Sequence, residues 1–414
     1  MKFIIAHPGQ QHSFRTATAL KRTGLLYRYL TSVYAKKGSW TLRILPFLSG
    51  LNLIKAKRRK CGELKDDEVI QFYELPVLMT ILLSHFPRLS RIKDWWNLYV
   101  ERKFNKKVIE YAVKNRIEGI IVYDGPAKRY LDVLSGKAPD IITIMDVSSA
   151  TRPWMRQVYA QDMNKYNYDD IYKEEPDLWN ERIICDVISD LKHCQYFLVA
   201  SSVVKESLVF CGVRPEQIKI LPYGVDANKF IPIVHINNVN KLTLIFVGRI
   251  CKRKGLHHLL HCARELSEVV DVILVGGIDS ASDLYKKYKD DTNITFTGFV
   301  DRDLLKEHYA HADVFVLPSL SEGMSLAGLE AMAFGMPILC SDHSGVNDLV
   351  ENGVNGYVFQ TGNIEDLKDK ICWFVKNKER CISMGKRSRE IAQEHTWERY
   401  YEDFARIIKE IVNR

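Results

Sequence analysis

The chain has 414 residues, 46% hydrophobic and 27% charged, without low-complexity tracts or repeats, which excludes collagen-like, coiled-coil and solenoid classes and predicts two domains. Its nine cysteines are scattered, odd in number and without a C-x-x-C pair, which excludes a disulfide scaffold and a cysteine zinc site and predicts reduced thiols in the cytoplasm. Of the net charge of +8, residues 1–110 alone contribute about +13, from 21 Lys/Arg against 8 Asp/Glu.

The opening "MKFIIAHPGQQ" has too short an apolar stretch for a secretory signal, and "LPVLMTILLSHF" is too short to span a bilayer. "KFIIAH" reads as a first strand, and the apolar spacing of "SFRTATALKRTGLLYRYL" suits a helix. "EGIIVYDG" and "DIITIMDV" are buried-strand candidates, followed by the strand–helix–strand unit "CQYFLVAS", "SVVKESLVFCG", "IKILPYG". After the polar, irregular "GVDANKFIPIVHINNVN", which suits a linker, the alternation restarts. "KLTLIFVGR", "VDVILVGG", "NITFTGFV", "DVFVLPS" and "PILCSD" read as strands; "GLHHLLHCARELSE", "RDLLKEHYAHA" and "LAGLEAMAFG" read as helices. Such alternation predicts two doubly wound, Rossmann-like α/β domains facing across a cleft, with ligands beyond the carboxyl ends of the strands. The expected units are residues 1–228 and 229–395, with a final helix at about 396–414 packing back on the first.

Candidate chemistry collects in the second half. Arg249 follows Gly248 at a strand end, and Lys254 precedes Gly255 and a helix; the pair suits a pyrophosphate, with Lys252 and Arg253 between them expected to be solvated. "SEGMSLAGLEAMAFGMP" places Glu322 on a strand-end loop and Ser325 as a helix N-cap, with Gly335 and Pro337 ending the helix. The amides of Gly323, Met324, Ser325 and Leu326 would face an anion, and Glu330 would accept hydrogen bonds from a diol. A capping or surface carboxylate is the plainer reading of Glu330. His257 and His261 lie at i, i+4, but the glutamate of H-E-x-x-H is missing, so no metal is expected; "GMSLAG" misses the nucleophile-elbow spacing.

Taken in order, "FVGRICKRKG", "VILVGG", "FTGFV", "ADVFVLPSLSEGMSLAGLEAMAFGMPILCSD" and "VENGVNGYVF" resemble the carboxyl-terminal half of family 4 retaining glycosyltransferases, and "IKILPYGVDANKF" resembles that family's passage into its second domain. The resemblance covers roughly residues 196 to 360. It implies a GT-B fold, a nucleotide-diphosphate-sugar donor and no metal or other cofactor. It further implies that Arg249 and Lys254 hold the pyrophosphate, Glu330 the ribose and the region of Phe299 and Val300 the base. Glu322 and the amides after it would hold the transferred sugar.

The amino-terminal half departs from the family pattern. "HPGQQHS" offers Gly9 for close backbone approach to the donor, and Gln10 and His12 as hydrogen-bonding groups toward the acceptor; a polar turn capping the helix is the alternative. Asp146, at the end of "IMDV", is a candidate near the reaction centre, although a loop or capping aspartate looks the same. In the basic first quarter, Trp40 and Leu42 precede Lys57, Arg58, Arg59 and Lys60, and Trp95, Trp96 and Tyr99 are interleaved with further cations. This composition suits an anionic membrane surface on the cytoplasmic side, and no nucleic-acid-binding signature accompanies it. The expected activity is sugar transfer to a hydroxyl of a glycan or lipid-linked acceptor, in surface polysaccharide or glycolipid synthesis. The alternatives are a non-catalytic GT-B binding module and a nucleotide-sugar epimerase.

Overall fold

The computed structural model describes residues 1–9, 12–44, 56–83, 86, 89–124, 130–230 and 241–413. The strands of the first sheet are β1 (Phe3–Ala6), β2 (Leu26–Thr31), β3 (Val69–Gln71), β4 (Gly119–Tyr123), β5 (Ile142–Val147), β6 (Tyr196–Val199) and β7 (Ile218–Ile220). Their spatial order is β3-β2-β1-β4-β5-β6-β7. A second sheet holds β8 (Leu242–Val247), β9 (Val270–Val275), β10 (Ile294–Gly298), β11 (Val314–Leu317), β12 (Ile338–Ser341) and β13 (Gly356–Phe359), ordered β10-β9-β8-β11-β12-β13. Every pairing in both sheets is parallel. Strands such as FIIA, GIIVY, VFVL and ILCS are buried throughout, because helices cover both faces of each sheet and leave no face for polar alternation. The strand order reverses between β1 and β4 and again between β8 and β11. Those two points open crevices at the carboxyl ends of the strands.

Among the elements, one sequence expectation fails. The helix begun at Ser13 stops at Arg22, and "LYRYLT" is β2, paired with β1 and β3. Gly24, at φ +76°, turns the chain, and an aromatic-rich segment next to an open edge of β1 gains more from strand pairing than from a longer helix. The Trp397–Val412 helix returns to the first domain, where Arg15 donates to the Tyr401 hydroxyl at 2.9 Å and its guanidinium lies over Trp397. All nine cysteines are unpaired, and Cys185 is the exposed one. No helix among the described residues is long and apolar enough to cross a membrane.

Candidate active site

In the second domain three neighbouring strands, β8, β9 and β10, finish in glycines, Gly248, Gly276 and Gly298, all at positive φ. The Gly248 N–H donates to the Val275 carbonyl and the Gly276 N–H to Gly298, each at 2.9 Å, which keeps the strand ends level. A Cβ on Gly276 would lie 1.8 Å from the Gly248 oxygen, so no side chain fits in this floor. Arg249 rises from its edge with an exposed side chain. Phe299, 67% exposed, stands beyond the end of β10, while Val300 packs partly into the core.

The turn at Lys252–Lys254 closes on Gly255, whose φ of +67° and tight approach to the Pro318 carbonyl admit no other residue without strain. This closure sets the Lys254 ammonium directly against the Glu322 carboxylate, which also accepts from the Ser319 hydroxyl at 3.3 Å. The two sequence-predicted groups, one for phosphate and one for sugar, therefore hold each other. Burial, with Arg253 alongside, presses the Lys254 amine down to about 7; contact with Glu322 opposes this and favours the ammonium form. Lys252 and Arg253 are not solvated as expected. Lys252 pairs with Asp170 and Arg253 with Glu175, while their two backbone N–H groups donate to the Glu174 carboxylate at 3.0 and 3.2 Å. The first domain thus grips the turn that carries Lys254.

Ser325 caps the Leu326–Phe334 helix, accepting from the Gly328 N–H at 3.2 Å, and Gly335 ends it at φ +84°. At the mouth of this helix Gly323 and Met324 are buried against the first domain. A Cβ on Gly323 would meet the Ser148 oxygen at 1.8 Å, the Ser201 hydroxyl donates to the Gly323 carbonyl at 2.5 Å, and the Tyr223 N–H reaches the Met324 sulfur at 3.2 Å. Ser325 and Leu326 lie further out, Leu326 exposed. Glu330 is half-buried within the same helix.

On the opposite wall, His12 occupies the N-cap position of the Ser13–Arg22 helix but does not cap it. Its Nε2 lies 2.8 Å from Asp146 Oδ1, and the Thr16 hydroxyl donates to Oδ2 at 2.8 Å. Both Asp146 oxygens are engaged, so Asp146 stands behind His12 as its support. Burial acts to lower the imidazole, but the Asp146 and Asp124 carboxylates outweigh it and hold His12 above its ordinary value. The Tyr223 hydroxyl lies 3.1 Å from His12 Nδ1. Tyr223 therefore joins the His12–Asp146 pair to the helix mouth, and the sequence reading had not singled it out. The Gly9 N–H donates to His7 Nδ1 at 2.8 Å, and Gln10 lies outside the described residues.

A second cross-domain cluster was not foreseen. His257 and His258 each place Nε2 2.9 Å from a separate oxygen of Asp162, on the Arg152–Tyr166 helix of the first domain, and Tyr168 donates to the same carboxylate. Ligand-like spacing is present here: Asp162 engages the Nε2 atom of each imidazole, while both Nδ1 atoms are buried with no hydrogen-bond partner among the described residues. His261, at i+4 from His257, faces Glu265.

Residues 228–391 match the family model of glycosyl transferases group 1. A sucrose-phosphate synthase from Thermosynechococcus elongatus superimposes with a TM-score of 0.65 over 100% of both chains at 16% identity. HepE from Anabaena, solved in complex with UDP and glucose, gives 0.62 over 99% of this chain and 100% of its own, at 15% identity. The fold is GT-B. Among curated proteins, the putative colanic acid biosynthesis glycosyltransferase WcaL of Escherichia coli is 26% identical over 300 residues, 68% of this chain and 67% of its own. The sulfoquinovosyl transferase SQD2 of Arabidopsis thaliana is 30% identical over 213 residues, 48% of this chain and 41% of its own. The chain thus spans about two fifths to two thirds of the length of these two relatives. In this GT-B chain the group 1 match covers the Gly248–Arg249 floor, Lys254, Glu322 and the helix mouth.

Proposed function

We propose that the protein is a retaining glycosyltransferase that moves a hexosyl group from a nucleotide-diphosphate sugar to a hydroxyl of a glycan or lipid-linked acceptor, at the cytoplasmic face of a membrane, in surface polysaccharide or glycolipid synthesis. The observation that carries the reading is the exposed Arg249 on a glycine floor at the β8/β11 crossover, beside the Lys254–Glu322 pair, inside a segment that matches a glycosyltransferase family.

The chemistry follows from charge. Breaking the anomeric carbon–oxygen bond leaves negative charge on the departing diphosphate and positive charge on the sugar ring. Arg249 and Lys254 are placed for the first, with the outer amides at Ser325 and Leu326, so these cations meet the leaving group and no divalent metal is assigned to the step. Glu322 steadies the sugar hydroxyls and the ring cation. Glu330 takes the ribose, and the Phe299–Val300 corner, with its exposed ring, takes the base. The amides of Gly323 and Met324, packed on the first domain, line the junction where sugar and acceptor meet. Gly9 and His12 belong to the facing wall, with His12 toward the acceptor and Asp146 fixing its charge and orientation; Gln10 is kept as a further acceptor-binding candidate from the sequence. Retention corresponds to attack from the face the diphosphate leaves.

Release of free nucleotide that depends on added acceptor tests the reading. An epimerase interconverts the donor without an acceptor, and a binding module releases nothing.

A further inference from the structure

The Glu74–Leu83 helix, ELPVLMTILL, is almost wholly apolar and yet contains no fully buried residue. It leaves the carboxyl end of β3, on the same edge of the first sheet as the cleft. Leu75, Met79 and Leu82 recur at i, i+4 and i+7 on its outer stripe and are 48%, 51% and 61% exposed. Trp96 donates its indole N–H to the Pro76 carbonyl at 3.0 Å, which fixes this helix against the long Ser90–Lys114 helix. There Trp95, 64% exposed, stacks on Tyr99 at 6.0 Å, and Lys103 lies over the Tyr99 ring.

The helical period carries the same stripe from Trp95 and Tyr99 on to Arg102 and Lys106. Those two cations line a cavity of about 540 Å³ together with Lys137 and Arg182, against the single carboxylate of Asp186. Tyr130, also in its wall and 5% exposed, has a hydroxyl with no hydrogen-bond partner among the described residues. An exposed apolar and aromatic ridge running into a cationic cavity has the chemistry of a bilayer interface, where side chains enter the acyl boundary and cations meet phosphate head groups.

We infer that this ridge and cavity dock the protein on an anionic phospholipid bilayer, with Leu82 and Trp95 entering the interface and Arg102 and Lys106 receiving a lipid phosphate. Docking of this kind would bring the cleft edge of the first domain to the lipid surface. The inference rests on the proposed transfer to a membrane-borne acceptor, and it names the surface that the acceptor shares with the enzyme.

Sedimentation of the full chain with phosphatidylglycerol–phosphatidylcholine vesicles, against phosphatidylcholine alone, tests it. Binding to the anionic vesicles should be about tenfold or more tighter at low salt and weaken at high salt. A Leu82→Ser/Trp95→Ser variant should lose about tenfold on both lipids, and Arg102→Gln/Lys106→Gln should lose the preference for anionic lipid. Failure of the wild-type chain to sediment, variants that bind as wild type, or displacement from vesicles by short RNA would each overturn the inference. Thermal shift with the nucleotide sugar, measured on the same variants, should be unchanged. Absence of lipid binding by a wild type that still binds donor therefore refutes the docking surface alone, and absence of donor binding in the wild type refutes the transferase reading instead.

Discussion

Arg249 is exposed where β8 ends, whereas Lys254 already rests on Glu322. A diphosphate would gain the Arg249 fork outright but must share Lys254 with a carboxylate that is itself proposed to meet the sugar. A charge-assisted hydrogen bond contributes about 1.5–3 kcal/mol, and each 1.36 kcal/mol is tenfold in rate. Arg249→Ala should therefore lower turnover by about 100-fold with the fold intact, as read by initial rates and circular dichroism. The His12–Asp146 pair makes a second residue-scale prediction. His12 sits above its unfolded value of 6.5, so its contribution to stability is full below that pH and fades as pH rises through the folded value. Asp146→Asn removes the dominant charge holding the proton, and burial then prevails. The His12 titration followed by NMR should move from above 6.5 to below it.

At the scale of elements, the helix mouth leaves no room for a Cβ at its glycines. Gly323 meets Ser148, Gly345 meets the Gly323 carbonyl and Gly255 meets Pro318. Gly323→Ala should cost roughly 1–3 kcal/mol and weaken donor binding by displacing the mouth from the first domain. Gly136→Ala, in open space on the Tyr130–Lys137 helix, should be neutral or stabilising by up to about 1 kcal/mol. Denaturant melts of the two variants check both. The second-domain strands and the Leu326–Phe334 helix were legible in the sequence, because buried parallel strands are continuous apolar runs and the helix carries its own N-cap and terminating glycine. β2 was not legible. "LLYRYL" has helical spacing by itself, and only the vacant edges of β1 and β3 make it a strand. Nor does local sequence disclose Tyr223 or Asp162, whose partners lie far off along the chain.

Across the whole molecule, the two domains are joined by carboxylates of the first that accept from the second. Asp170, Glu174 and Glu175 hold the Lys252–Arg253 turn, and Asp162 holds His257 and His258. These carboxylates also explain why two basic residues expected in solvent are paired. Burial, and then the neighbouring His258, keep His257 down at about 4, below its unfolded 6.5. The folded state therefore binds fewer protons between those values, and its stability is lost as pH falls from about 6.5 toward 4. Thermal melts should show the midpoint falling between pH 7 and pH 5, with a smaller fall for His257→Gln. Because His12 contributes in the opposite sense over this interval, the difference between the two proteins is the readout: a fall in His257→Gln as large as in the wild type would show that this junction does not couple to pH.

The central claim is that the second domain of this GT-B chain takes a nucleotide-diphosphate sugar through Arg249. Thermal-shift titration of the wild type and Arg249→Ala with UDP-, GDP-, ADP- and dTDP-sugars tests it most directly. The account predicts that at least one of these donors stabilises the wild type and that Arg249→Ala abolishes most of that shift. Equal stabilisation of both proteins, or of neither by any of the four donors, would contradict it.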